Sequence, residues 1–231
     1  MEDIIVKPIA YIKTDFKEKF GIPRQSGRVS ELEGEIIFLP EYRTPEALRG
    51  IEGFSHLWLI FDFSESHTGH WSPTVRPPRL GGNERVGVFA SRSPFRPNPI
   101  GLSVVKLERI EHTEKYGDTI VVSGVDLLDG TPILDIKPYL LTDIMNGVRG
   151  GYAEEVSMHK LDVVFPGDLI KKIPENKRLA LINCIAEDPR PAYQNDDERV
   201  YGMSFAGFEI KFKVSGNKAI VHDVYKSADI I

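Results

Sequence analysis

The chain has 231 residues and a mass of 26.0 kDa, with 41% apolar and 27% charged residues and a formal charge of −5. Such a composition belongs to a folded globular protein; it argues against a disordered chain, a collagen-like repeat and a membrane helix, which needs a run of ~20 apolar residues. The lone cysteine, Cys184, excludes an intrachain disulfide and a thiolate metal cluster.

The opening residues, Met-Glu-Asp-Ile-Ile-Val-Lys-Pro, lack a basic leader followed by an apolar stretch, so cytoplasmic residence and no membrane partner are expected. Short apolar or alternating runs follow at Ile4–Ile12, Glu35–Leu39, Phe54–Phe63, Arg85–Ala90, Leu102–Ile110, Thr119–Val125 and Pro132–Ile136, separated by turn residues. Their lengths and β-branched or aromatic content predict strands. Thr44–Arg49 reads as one short helix. Many short strands must hide their edges, so a closed sheet or β-barrel is the expected solution.

Gly147-Val-Arg-Gly-Gly151 marks a boundary. The expected division is a β-barrel domain over residues 1–148 and a small α+β domain over 149–231. In the second, Glu175–Glu187 lies between Pro174 and Asp188-Pro189 and predicts a helix. Val200–Phe205, Phe208–Val214 and Ala219–Tyr225 predict three strands joined by turns at Ala206-Gly207 and Ser215–Lys218.

Charge is unevenly distributed. Residues 76–109 hold seven basic side chains against two acidic ones, a local +5, while the remainder carries −10. A basic site on an acidic scaffold suits a polyanionic ligand. Within it, Ser91-Arg-Ser-Pro-Phe-Arg-Pro-Asn-Pro-Ile-Gly101 combines three prolines with Arg92 and Arg96. Proline fixes φ and cannot donate to a ladder, so this is a stiff loop. It suits either a crossover connection or a binding loop, and the arginines favour binding of carboxylate, phosphate or a base. Arg76, Arg79 and Arg85 repeat the theme upstream.

Other candidates carry less. Asp126-Leu-Leu-Asp-Gly-Thr-Pro132 holds an Asp-Gly hairpin turn, and its carboxylates can also serve ribose hydroxyls, an amino group or a sulfonium. Pro23-Arg24-Gln25-Ser26-Gly27 offers donors and acceptors at close spacing. His67-x-x-His70 lacks a third ligand, so no metal site is expected. There is no P-loop, Gly-x-Ser-x-Gly elbow or Gly-x-Gly-x-x-Gly, which removes the main support for NTPases, α/β-hydrolases and Rossmann enzymes.

Several segments in order resemble the TrmO (TsaA-like) tRNA methyltransferases: Pro23-Arg-Gln25, Gly53-Phe-Ser-His-Leu-Trp58, Val75-Arg-Pro-Pro-Arg-Leu-Gly-Gly-Asn83, Gly87 to Ser103, Asp126 to Tyr139 and Asp188-Pro-Arg-Pro-Ala-Tyr-Gln194. The resemblance covers nearly the whole chain. It implies an S-adenosylmethionine-dependent enzyme that methylates N6 of threonylcarbamoyladenosine at tRNA position 37, built on a β-barrel and acting as a homodimer with the cofactor near the subunit interface. It also implies cofactor contacts at Arg24, Gln25, Ser26, Ser64, Glu65, Arg92, Leu102, Asp126, Leu127, Leu128 and Asp129. Three positions depart from the family pattern: Ser64 is often His, Ser26 often Pro and Ser91 often Thr.

For an in-line methyl transfer, alignment supplies much of the rate. The proton acceptor expected from this resemblance is Asp129 or Asp135, with Arg92 and Arg96 orienting the threonyl carboxylate or nearby phosphates. Arg76, Arg79, Arg96, Arg190 and Tyr193 are the expected tRNA contacts. A methyltransferase of this fold acting on another nucleoside or a small molecule, and a non-catalytic tRNA- or cofactor-binding module, are the competing readings.

Overall fold

The computed structural model describes residues 4–77, 84–152, 160–191, 194 and 196–227. Strands β1 (Ala10–Lys13), β2 (Glu33–Phe38), β3 (His56–Asp62), β6 (Ile100–Thr113), β7 (Gly117–Ser123) and β8 (Pro132–Pro138) form one antiparallel sheet in the order β1-β2-β7-β6-β3-β8. The sheet closes on itself, because β8 pairs back onto β1 through Ala10–Ile133 and Tyr11–Pro132. Closure leaves no open edge between these strands. A two-stranded ribbon of β4 (Thr74–Val75) and β5 (Val86–Gly87) stands beside it.

Alternation explains which way each strand faces. In β3, Leu57, Leu59 and Phe61 are buried while the residues between them are only partly so. With Ile12, Ile36, Val105, Ile120, Val122 and Ile133 they fill the interior, each such side chain contributing about 1.5–3 kcal/mol on full burial. Strand β6 is long enough to serve two partners: Ile100–Lys106 pairs with β3 and Lys106–Thr113 with β7. A register shift between Leu107 and Arg109 bends it between the two.

The second unit is a four-stranded sheet, β10 (Tyr201–Phe205), β11 (Phe208–Ser215), β12 (Lys218–Lys226) and β9 (Asp162–Val164), with β9 parallel to β12. A single turn, α1 (Gly167–Ile170), precedes helix α2 (Glu175–Ala186). Pro174 opens α2 in extended geometry, and Ala180, Leu181, Cys184 and Ile185 form its buried face. Burial pushes the Cys184 thiol well above the usual range, which leaves it a packing residue.

The two units share one apolar core. Phe16 meets Phe205 edge-on at 5.4 Å. Gly21, at φ +98°, lies so close to Met203 that a Cβ would fall 2.2 Å from its sulfur, so a larger residue would both strain the backbone and displace that side chain. Lys177 pairs with Asp15 at 2.6 Å, and Arg28 with Glu187.

Four expectations need adjustment. Asp126–Pro132 is a crossover and not a hairpin turn, because the strands it joins, β7 and β8, are not neighbours in the sheet. The Ile4–Ile12 strand is confined to Ala10–Lys13, and Ile4 is 91% exposed. The Arg85–Ala90 strand is two residues long before a 3-10 turn at Val88–Ala90. Thr44–Arg49 is a 3-10 turn over Pro45–Leu48.

Candidate active site

Two cavities meet at the stiff loop. The first, about 420 Å³, lies where β3 ends, between Phe61–Ser66 and Asp126–Leu128, with Arg24, Pro94 and Phe95 at its edge. The second, about 740 Å³, is lined by Arg76, Arg85, Arg92, Thr74 and Tyr152, and shares Arg24, Pro94 and Phe95 with the first.

The loop between them is self-braced. The Ser91 hydroxyl donates to the Val88 carbonyl at 2.8 Å and accepts from the Ser93 amide at 3.3 Å, and the Arg96 guanidinium donates to the Ser91 carbonyl at 3.2 Å. The Phe63 amide donates to the Pro99 carbonyl at 2.8 Å, which fixes the loop's far end to the end of β3. Such local bonds hold a shape that three prolines already restrict.

Asp126 is a partly buried carboxyl of the first cavity. It accepts from the Ser103 hydroxyl at 2.7 Å, and burial pushes its pKa above the usual carboxylate range, an effect the hydroxyl only partly offsets. Leu127 and Leu128 extend the same wall, with Phe61 and Phe63 adding apolar surface and Glu65, Asp62 and Lys19 adding charge. The Arg92 guanidinium donates to Gln25 Oε1 at 2.5 Å, and Ser26 Oγ accepts from the Val104 amide at 3.2 Å. Neither Gln25 nor Ser26 lines either of these two cavities; Gln25 reaches the site through Arg92, and Ser26 through a backbone hydrogen bond to the Asp126 carboxyl.

Arg24, Ser64, Glu65, Asp126, Leu127 and Leu128 are brought together as expected from the sequence, and Arg76 and Arg92 join the second cavity. Other candidates go elsewhere. Asp129 accepts from the Thr14 amide at 2.9 Å and pairs with Lys17. Asp135 lies on β8 opposite Ile60 and pairs with Lys137 at 2.8 Å. Leu102, 51% exposed, also stands opposite Ile60, so it shares the outer face of the sheet with Asp135. Arg96 is turned back into its own loop. Arg190 is only 9% exposed and forks onto both oxygens of Asp188 at 2.8 and 2.9 Å. Arg79 and Tyr193 lie outside the described residues.

Sequence reasoning missed Phe61, Phe63, Asp62 and Lys19. The aromatics read as core because they belong to an apolar strand. The signal that can find them is position: the last inward residue of a strand running into a loop faces the sheet's open end.

A closed β sheet thus carries a cavity with apolar walls and carboxylates beside a second one lined by arginines. The comparisons give it a family. Residues 11–143 match the tRNA-methyltransferase O N-terminal domain, and residues 159–227 match the TrmO C-terminal domain. The chain belongs to the tRNA-methyltransferase O family. It is 38% identical over 224 residues to the tRNA (adenine(37)-N6)-methyltransferase of Escherichia coli K12, covering 93% of this chain and 95% of that protein. It is 41% identical over 214 residues to the putative S-adenosylmethionine-dependent methyltransferase RcsF of Pseudomonas aeruginosa, covering 86% and 87%. The crystal structure of TrmO from Pseudomonas aeruginosa shares its fold with a TM-score of 0.79 at 32% identity, covering 97% of this chain and 99% of that one.

Proposed function

We propose that this chain is an S-adenosylmethionine-dependent tRNA methyltransferase that methylates N6 of the adenosine at position 37, with N6-threonylcarbamoyladenosine as its substrate. The observation that carries the reading is the adjacency of the two cavities across Arg24, Pro94 and Phe95, within a chain of this family.

The first cavity fits the cofactor. Its volume of about 420 Å³ lies within the ~300–1,000 Å³ typical of small-molecule sites. Leu127, Leu128, Phe61 and Phe63 offer apolar surface to a purine or thioether, while Asp126, Asp62 and Glu65 offer carboxylates to ribose hydroxyls, an amino group or a sulfonium. When bound, the cofactor supplies an electrophilic methyl group. Residues 1–148 would then carry catalysis, and 149–231 tRNA recognition.

The second cavity suits the tRNA. Arg76, Arg85 and Arg92 present guanidinium groups where phosphates or the threonyl carboxylate would lie. Gln25 orients Arg92 for this task. The substrate nitrogen must also lose a proton. Asp129 and Asp135 line neither cavity, so the role falls to a carboxylate that does, and burial gives Asp126 the raised proton affinity a general base needs.

A homodimer accounts for the outer face of β3 and β6, where Ile100 and Leu102 stand exposed. Leu102 points away from its own cavity, so a cofactor contact from it requires a second copy. The sheet's geometry otherwise gives it none.

The deciding experiment incubates purified protein with S-adenosylmethionine and tRNA carrying or lacking the threonylcarbamoyl group, and analyses the nucleosides by mass spectrometry. Gain of one methyl on the modified tRNA alone is expected. Methylation of unmodified adenosine would reassign the substrate, and binding of both ligands without turnover would make the chain a binding module.

A further inference from the structure

Arg190 sits in the turn that follows α2, where the chain leaves the helix through Asp188 at φ +49°. Left-handed backbone at a non-glycine residue is uncommon and needs local support. That support comes from Arg190. Its Nε and Nη2 donate to the two carboxylate oxygens of Asp188, and its backbone amide donates to the same carboxylate at 3.3 Å. The guanidinium lies 6.0 Å from the ring centroid of buried Tyr201. A side chain so enclosed has little surface to offer a phosphate.

The turn shaped in this way points two backbone carbonyls at the other unit. Arg24 Nη2 donates to the Arg190 carbonyl at 2.7 Å and to the Asp188 carbonyl at 3.4 Å. Arg24 is also the side chain at which three cavities meet: the two of the candidate active site, and a third of about 300 Å³ between Gly21–Arg24 and Glu187–Pro191. The next residue, Gln25, holds Arg92.

We propose that Arg190 is a positioning residue for the methyl-transfer site: its fork on Asp188 sets the turn whose carbonyls grip Arg24, and Arg24 so held forms the wall between the two cavities. This deepens the function proposed above and rests on it for the identity of the cofactor. The small C-terminal unit thereby contributes to cofactor binding, even with no tRNA present.

That last point separates the proposal from the alternative in which Arg190 touches RNA. Cofactor affinity is measured by calorimetry on the full chain without tRNA, for Arg190→Met, Arg24→Gln and the double variant, and hydrogen exchange is followed in the ligand-free proteins. Arg190→Met is expected to weaken S-adenosylmethionine binding about tenfold and to speed exchange at Gly27, whose amide is bonded to the Gly124 carbonyl. The double variant is expected to bind no more weakly than the worse single one, because both changes break the same link. Should Arg190→Met fold poorly, Arg24→Gln carries the reciprocal test, faster exchange at Asp188 and Arg190.

Unchanged cofactor affinity and unchanged exchange in Arg190→Met, with the loss confined to tRNA, would overturn the proposal, as would a double variant whose loss is the product of the two. If the wild-type chain binds no S-adenosylmethionine, the proposed function fails; the exchange measurements then still decide whether Arg190 holds Arg24.

Discussion

Phe61 and Gly101 face each other across β3 and β6, and the Phe61 ring occupies the space that a Cβ on Gly101 would need, 2.2 Å from its ring carbons. The same ring lines the first cavity. The glycine therefore sets the position of a cavity wall from the neighbouring strand. Gly101→Ala is expected to cost about 1–3 kcal/mol through overpacking, seen as a fall of several degrees in Tm. Because Phe61 must move, affinity for S-adenosylmethionine should fall with it; a stable variant with unaltered affinity would separate the ring from the site.

Asp126 joins stability to activity with opposite signs. Its pKa is raised in the folded state by burial, so the favourable state of this group is the protonated one, present at low pH and lost as pH rises through the folded value. Asp126→Asn should therefore raise Tm relative to wild type at neutral pH, and the gain should shrink as pH falls through the raised folded value, where the wild-type carboxyl takes up its proton. With Asp126 as the proposed general base, turnover should fall about 100-fold. Thermal melts across that pH range and single-turnover methylation check the two halves.

Arg76 lines the arginine groove and does not reach the first cavity. Arg76→Ala is expected to weaken tRNA binding and to lower the slope of log affinity against log salt by about 0.7–0.9, the loss of one phosphate contact. Cofactor affinity should be unchanged. A salt titration of binding distinguishes this contact from a base-reading one, which would leave the slope alone.

Asp129 has a structural task. Its carboxylate accepts from the amide of buried Thr14 and pairs with Lys17. Asp129→Ala leaves that amide unpaired, at a cost of about 1–3 kcal/mol or roughly 2–4 °C of Tm per kcal/mol in a chain of this size. Its loss of turnover, after correction for the folded fraction, should be at least tenfold smaller than that of Asp126→Asn.

These contrasts show what could be read from residues alone. Helix α2 was legible from Pro174 and Asp188-Pro189, which stop it at both ends, and the strands β10 to β12 fall within one or two residues of their apolar runs. Ile4 to Pro8 misled because alternation reports a face and not a partner: backbone bonding begins at Ile9, which donates to the Ile133 carbonyl and accepts from the Leu39 amide, and the ladder follows from Ala10. The stiff loop announced itself through proline and arginine. Which way a charged side chain turns is decided by partners far away or hidden: Asp129 is claimed by Thr14 and Lys17, more than a hundred residues upstream. Arg190 shows the opposite case, since its partner Asp188 is two residues away, yet only the structure reveals that the guanidinium is buried against it.

Both sheets are completed by joining early strands to late ones. In the six-stranded sheet β1 meets β8, and in the four-stranded sheet β9 runs parallel to β12, the last strand described. During synthesis the larger unit can close once residue 138 has left the ribosome. The smaller one must wait for residue 226, holding β9 and α2 ready in the meantime. The six-stranded sheet can therefore close before the smaller unit that supplies the carbonyls bonded to Arg24 is complete.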